Sequence, residues 1–197
     1  AAYYMKIRNQ QLSVFATEYG FGRSMVNAGK SYSCGIEATL RGGAFDNHLN
    51  WSMSYGYTHA VFKEYTDSVK VNGVLQMVDY KGKRVPFVPQ HTLSAFADYR
   101  IDLGSSLLRS ITIGASVSAQ GRTWWDEANT YGQKFFTVAN AHVDADFSPV
   151  VLSLWIRNLT NTNYNTFALE SNMGGNTSRF AQRGNPMQAG VDIKVKL

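Results

Sequence analysis

The segment Met187-Gln-Ala-Gly-Val-Asp-Ile-Lys-Val-Lys-Leu197 alternates apolar and polar residues without a break. Side chains of a strand point to opposite faces in turn. Met187, Ala189, Val191, Ile193, Val195 and Leu197 therefore share one side, and Gln188, Gly190, Asp192, Lys194 and Lys196 share the other. The run is as long as a tilted strand that crosses a bilayer, about 9–11 residues.

The pattern recurs along the chain. Leu49, Trp51, Met53, Tyr55 and Tyr57 alternate with Asn50, Ser52, Ser54, Gly56 and Thr58. Leu93, Ala95, Ala97, Tyr99, Ile101 and Leu103 alternate with polar residues that include Asp98, Arg100 and Asp102. Ile111–Ala119, Ala139–Phe147 and Cys34–Leu40 repeat it. The apolar side is thin in places, as at Ala95, Ala97, Ala139 and Ala141. A soluble sandwich must fill its own interior and needs bulk there, whereas lipid tails conform to any surface. The reading is all-β: an antiparallel transmembrane β-barrel wall of about eight strands, with lipid outside and a wet lumen inside.

Composition agrees. Charged residues are only 17% of the chain and aromatics reach 13%, as expected of a wall with aromatic girdles. No apolar run is long enough for a membrane-spanning helix. The net charge of +5 is spread out, with no basic stripe interleaved with aromatics, so nucleic acid is not an expected partner. The single cysteine, Cys34, excludes an internal disulfide and falls on the apolar parity. Ala1–Ile7 has neither a basic start nor an apolar stretch of signal-peptide type. A barrel must be exported, so either a signal has been removed or further chain precedes Ala1, and a start directly in a strand-like segment favours the second.

The expected strands are 2–16, 31–45, 48–62, 91–103, 108–124, 134–147, 150–168 and 185–197. Their connections alternate in length. Asp46-Asn47, Gly104-Ser105-Ser106 and Ser148-Pro149 read as tight turns. Thr17–Lys30, Lys63–Gln90, Trp125–Gln133 and Leu169–Gly184 read as long links. Outer-membrane barrels place short turns on the periplasmic side and long loops outside. Tyr3, Tyr4, Phe45, Phe62, Tyr65, Trp124, Trp125, Phe135, Phe136 and Phe147 fall near strand ends, where rings with a polar handle form interfacial girdles.

The segment Val151-Leu-Ser-Leu-Trp-Ile-Arg-Asn-Leu-Thr-Asn-Thr-Asn-Tyr164 resembles the penultimate-strand signature of TonB-dependent outer-membrane receptors. Asn27–Glu37 with its Gly-x-Glu, Val88-Pro-Gln-His-Thr-Leu-Ser-Ala95 and Gly184-Asn-Pro186 resemble the same family in the same order. Two positions depart from its pattern: Met187 follows Pro186 where Arg is common, and Leu197 stands where many outer-membrane proteins end in Phe or Trp. The resemblance implies a barrel of 22 strands around an N-terminal plug. Residues 1–197 would then be the C-terminal segment of the wall, with the plug domain absent from them. It also implies a bacterial outer-membrane location, the partners TonB (through the N-terminal part), outer-membrane lipid and lipopolysaccharide, and uptake of a scarce ligand such as a ferric siderophore.

No catalytic residue, cofactor or metal site is expected. His48, His59, His91 and His142 are scattered without ligand spacing. Asp98, Arg100 and Asp102, like Asp144 and Asp146, share a strand face and read as solvated ion pairs of a wet lumen rather than acid–base pairs. No Gly-x-Ser-x-Gly elbow is present. The long links carry the candidate ligand-binding residues Tyr65, Tyr80, Lys83, Arg84, Trp124, Trp125, Arg179 and Arg183. Cations and rings suit an anionic metal chelate, which Arg can hold bidentately. Neutralising lipopolysaccharide phosphates suits the same basic residues equally well. An adhesin, anchor or small pore built on a complete eight-stranded barrel is the alternative, and a soluble barrel follows if the apolar parity faces inward.

Overall fold

The computed structural model describes residues 1–15, 23–27, 29–71, 74–173 and 176–196. In chain order the strands are β1 (Ala2–Arg8), β2 (Gln11–Phe15), β3 (Arg23–Asn27), β4 (Lys30–Ala44), β5 (Leu49–Glu64), β6 (Thr66–Val71), β7 (Val74–Asp79) and β8 (His91–Asp102). They continue with β9 (Ser110–Gln120), β10 (Thr123–Trp124), β11 (Gly132–Gln133), β12 (Phe136–Asp146), β13 (Val150–Arg157), β14 (Asn165–Met173), β15 (Asn176–Arg183) and β16 (Gln188–Val195). No helix among the described residues is long and apolar enough to cross a membrane.

Eight strands form one antiparallel meander in the order β1-β4-β5-β8-β9-β12-β13-β16. Short connections therefore lie at one end and long ones at the other. At the short end, Phe45, Asp46 and Asn47 take left-handed φ values of 54°, 52° and 66°, which Asp and Asn tolerate. His48 N–H closes this turn on the Phe45 carbonyl at 2.9 Å. At the long end, four two-stranded sheets rise from the wall: β2-β3, β6-β7, β10-β11 and β14-β15.

The ladder register aligns the apolar parities across the wall. Ala44, Leu49, Tyr99, Ile113, Val143, Leu154 and Val191 form one continuous cross-strand row. Ile101, Ile111, Ala145, Leu152 and Ile193 form the next. This face has no protein covering it: Leu40 is 62% exposed, Leu154 51% and Ile193 70%. An exposed apolar surface this extensive marks contact with lipid or another protein. We call it the outer face. The opposite, inner face carries Asp98, Gly114, His142, Trp155 and Gly190 in one row and Arg100, Thr112, Asp144, Ser153 and Asp192 in the next. Its charges pair as the sequence suggests, Arg100 Nε with Asp102 Oδ1 at 2.8 Å and Lys196 Nζ with Asp146 Oδ2 at 2.7 Å.

Glycines on the ladder make room for rings from the paired strand. Gly42 lies directly opposite Trp51, Gly35 opposite Tyr3 and Gly190 opposite Trp155. In each case a Cβ on the glycine would run into the ring.

The buried apolar side chains gather at the long-loop end. Ala60 and Phe62, on the inner face of β5, pack with Tyr65, Tyr80 and Val85, and with Leu12, Val26, Val69, Val78, Val88 and Ala128. Three loop regions thus share one small core.

Several expectations are corrected here. The 2–16 strand breaks at Asn9, whose φ is 53°, and the chain resumes as β2 of a separate hairpin. The 150–168 strand ends at Arg157. Five of the expected girdle rings do not face outward. Phe62, Tyr65 and Trp125 are buried, Phe136 stacks on Tyr164 at 4.4 Å, and Tyr3 turns inward to hydrogen-bond Thr58 at 2.8 Å. Tyr4, Phe45 and Phe135 remain exposed. Among the described residues β1 and β16 stand at opposite edges of the sheet without pairing, so the sheet is open and not a closed eight-stranded barrel. Gly174, Gly175 and Leu197 lie outside the described residues.

Candidate functional site

The long-loop end is where the candidate ligand-binding residues converge, and backbone pairing sorts them. After Tyr80 the chain doubles back along β5. Phe62 N–H donates to the Lys83 carbonyl at 3.0 Å, Val85 N–H to the Ala60 carbonyl at 3.1 Å and Thr58 N–H to the Gln90 carbonyl at 2.9 Å. Val85 joins Ala60 and Phe62 in the inner core. Arg84, paired with Val61, has the opposite parity and lies toward the outer face. Lys83 is exposed.

Tyr65 and Tyr80 are packing residues, with ring centroids 5.1 Å apart. Burial pushes the Tyr80 phenol up to about 12, helped by the nearby carboxylates of Glu127, Asp67 and Asp126. Burial raises Tyr65 further, and its hydroxyl donates to Asp67 at 3.2 Å. Both phenols are neutral in the folded protein over the physiological range.

Trp124 and Trp125 lie at the start of the next loop. Trp124 carries the Arg122 guanidinium 5.1 Å from its ring. Trp125 is buried and packs against Phe87, whose other neighbour is Phe167 on β14 at 5.6 Å. Arg179 of β15 bonds Glu170 at 2.5 Å and sits 4.7 Å from the Tyr131 ring. That carboxylate holds its guanidinium above the usual arginine range. Arg183 is exposed at the base of the same hairpin, opposite Asn165.

Sequence reasoning did not single out the residues that organise these loops. Asp126 accepts N–H bonds from Thr130 and Tyr131. Asn129 receives the Arg84 N–H at 2.7 Å and donates to the Arg84 carbonyl at 3.0 Å. The signal available was Asp-Glu-Ala-Asn-Thr itself, since Asp and Asn close turns through their own side chains. The result is a cap of four loop regions at one end of the wall. The exposed cations Lys83 and Arg183 lie on it, and the inner face runs down from it.

A family model described as a TonB dependent receptor-like β-barrel matches residues 1–159. The chain belongs to that family. Its members are outer-membrane receptors rather than enzymes, and the chain lies in the bacterial outer membrane. Solved structures show the same fold. The ferric yersiniabactin uptake receptor of Yersinia pestis superposes with a TM-score of 0.74 at 20% identity, over 98% of this chain and 26% of that one. The siderophore receptor PiuA of Acinetobacter baumannii superposes at 0.69 and 21% identity, over 96% of this chain and 24% of that one. The ferric citrate transporter FecA gives 0.65 at 20% identity, over 98% of this chain and 28% of that one. The chain thus spans about a quarter of the length of these receptors, and its eight-stranded antiparallel sheet is consistent with part of such a barrel.

Proposed function

We propose that this chain is the C-terminal wall segment of a 22-stranded TonB-dependent receptor that imports a scarce ligand such as a ferric siderophore. The plug and the TonB-contacting segment belong to the remainder of that protein. The observation that carries the reading is the division of the wall. Apolar side chains face outward in unbroken rows, polar and charged ones face inward, and every long loop gathers over one end. Such a wall surrounds an aqueous path and presents its loops to the outside. The open edges at β1 and β16 support the reading further, since unpaired strand edges are costly in lipid and call for neighbouring strands.

In this reading the loops capture the ligand and energy delivered through TonB opens the path. Lys83 and Arg183 supply positive charge to an anionic chelate, and Trp124 offers a ring. Tyr65, Tyr80 and Trp125 act indirectly, by fixing the loops. Two of the matched receptors are a ferric yersiniabactin uptake receptor and a ferric citrate transporter, which supports an iron chelate as the first class to try.

The test is uptake of radio-iron presented as hydroxamate, catecholate and carboxylate chelates to iron-starved cells, with and without the full-length gene. The reading predicts that one class accumulates only in cells with the gene, and that dissipating the proton gradient abolishes it. Unchanged uptake of all three, with altered adhesion or passive permeability, would favour an anchor or pore. The intact product recovered from native membranes should have a mass several times the 21.9 kDa of this chain.

A further inference from the structure

Three loop regions meet at one aromatic junction. The Phe87 ring, in the β7–β8 connection, lies 5.5 Å from Trp125, just after β10, and 5.6 Å from Phe167 of β14. Phe87 and Phe167 are nearly parallel, at 14°. The Phe87 N–H also donates to the Trp124 carbonyl at 2.8 Å. One side chain therefore joins the β7–β8 connection, the β10–β11 loop and the β14–β15 hairpin.

The junction carries two local costs. Phe87 has a φ of 63°, an outlier for a bulky side chain, and its ring is still 40% exposed. Its neighbours cannot take up the turn. Pro86 and Pro89 hold their own φ near about −65°, and Val85 and Val88, each before a proline, are kept extended. The segment is pinned on both sides of the ring, since Pro86 is buried and Val88 packs on the inner core. The second cost falls on Trp125, which is buried and whose Nε1 has no hydrogen-bond partner among the described residues. Strained backbone and an unpaired buried donor at the same contact mark a place where the fold stores energy.

The β14–β15 hairpin has a base of its own. Tyr164, just before β14, stacks on Phe136 of β12 with centroids 4.4 Å apart. Its carbonyl accepts the Gly184 N–H at 2.9 Å, and its ring fills the place a Gly184 side chain would need. Asn165 N–H, at the same base, donates to Gln133 Oε1 at 2.9 Å. Higher up, the hairpin meets other loops through Phe167 on Phe87 and through Arg179, 4.7 Å from the Tyr131 ring. Arg179 is already bonded to Glu170 inside the hairpin. The contact with the strained partner is the one at Phe167.

We propose that Phe87 is a spring-loaded latch: its ring, held on strained backbone against Phe167, keeps the β14–β15 hairpin in place, and withdrawal of the ring frees the hairpin to swing as a unit about Tyr164 and Gly184. Withdrawal lets Phe87 relax to a negative φ and opens Trp125 Nε1 to water, so both costs favour release. The ring stack opposes it. A strained closed state balanced against a relaxed open one is an equilibrium that a ligand with different affinities for the two can tip. The latch does not depend on which ligand the loops capture, and it is measured without a transport step. It therefore stands or falls apart from the transport reading.

The experiment places nitroxide labels at Lys81→Cys and Ser178→Cys, both exposed, in full-length receptor with Cys34→Ser, reconstituted in vesicles. Double electron–electron resonance reads their separation. The latched protein should show one dominant distance. Phe167→Ala and Phe87→Gly should each shift most of the population to a broader distribution, and Arg179→Gln should leave the single distance in place. Urea unfolding separates a strained latch from ordinary packing. Phe87→Gly removes the ring contacts with both Trp125 and Phe167, yet should unfold at a midpoint no lower than Phe167→Ala, because glycine adopts a positive φ freely. Heat-modifiable electrophoretic mobility checks assembly, and either ring variant alone decides the distance test. Should neither assemble, Phe167→Leu, which keeps bulk without a stacking face, replaces them. An unchanged distance in the ring variants, a broad distribution already in the wild-type protein, release by Arg179→Gln, or a lower midpoint for Phe87→Gly would each overturn the proposal.

Discussion

The indole of Trp155 lies across Gly190, its direct partner on β16, and occupies the volume a side chain there would need. The Arg157 guanidinium lies 4.7 Å from the centroid of the same ring. Three residues on two strands thus form one inward-facing stack next to the β16 edge. Gly190→Ala should destabilise the assembled protein by about 1–3 kcal/mol through overpacking, seen as a lower urea midpoint in vesicles. Trp155→Ala with Gly190→Ala should recover part of that loss. A Gly190→Ala midpoint equal to wild type would mean the ring moves aside freely.

The parity of β16 makes a second prediction. Ile193 is 70% exposed on the outer face, while its neighbour Asp192 faces inward with Ser153. An Arg on the lipid face costs about 2–4 kcal/mol near the midplane, less near the interfaces, whereas lumen substitutions are mild. Ile193→Arg should reduce the fraction assembled in membranes far more than Asp192→Arg. Equal damage from both would contradict the face assignment.

Asn158 ties the start of the β13–β16 connection to its end. It is buried, with φ of 49°. Its amide donates to the Thr162 and Asn185 carbonyls at 3.0 and 2.9 Å, and its side-chain oxygen accepts the Thr162 N–H at 2.9 Å. Asn158→Asp keeps the acceptor but turns both donors into an oxygen facing carbonyls. A loss of about 1–3 kcal/mol or more is expected, measured by urea unfolding, with Thr160→Ala on the exposed side near neutral.

Alkaline pH should loosen the cap. The Tyr80 phenol is raised to about 12 by burial, against an ordinary value of about 10. The folded state therefore favours the protonated phenol, and this stabilisation is complete below about pH 10 and fades as pH rises toward 12. Phenolate absorbance should show a late-titrating class that shrinks in Tyr80→Phe. Titration of all tyrosines near pH 10 in the folded protein would show that the cap does not hold them.

Much of the wall was legible because a sheet in lipid has to alternate. Leu93–Leu103 and Ile111–Ala119 could occupy only one register without turning Asp98 or Arg100 toward lipid. Asp46-Asn47 announced its turn because few residues accept three successive left-handed conformations. The hairpins above the wall were not legible. Thr66–Val71 and Val74–Asp79 pair with one another yet have no lipid face to impose a period. The break after Arg8 coincides with Arg8-Asn9-Gln10-Gln11, four polar residues in a row that interrupt the alternation, and Asn9 ends the strand there with a positive φ. The candidate site was legible in composition but not in direction. Lys83 and Arg84 are adjacent letters, and only pairing with β5 places one over the loops and the other against the outer face. The Asn158 cluster was recognised as a signature before its three hydrogen bonds gave it a physical role.

The central claim is that lipid lies on one side of this wall and water on the other. Val143 and Asp144 are neighbours on β12, one paired with Leu154 in the outer row and the other with Ser153 in the inner row. Nitroxide labels on Val143→Cys and Asp144→Cys, each in full-length receptor with Cys34→Ser and reconstituted in vesicles, report which side each position meets. The account predicts a label at 143 relaxed by oxygen dissolved in the membrane and one at 144 relaxed by a water-soluble nickel complex. The reverse pattern, or the same response at both positions, would contradict it.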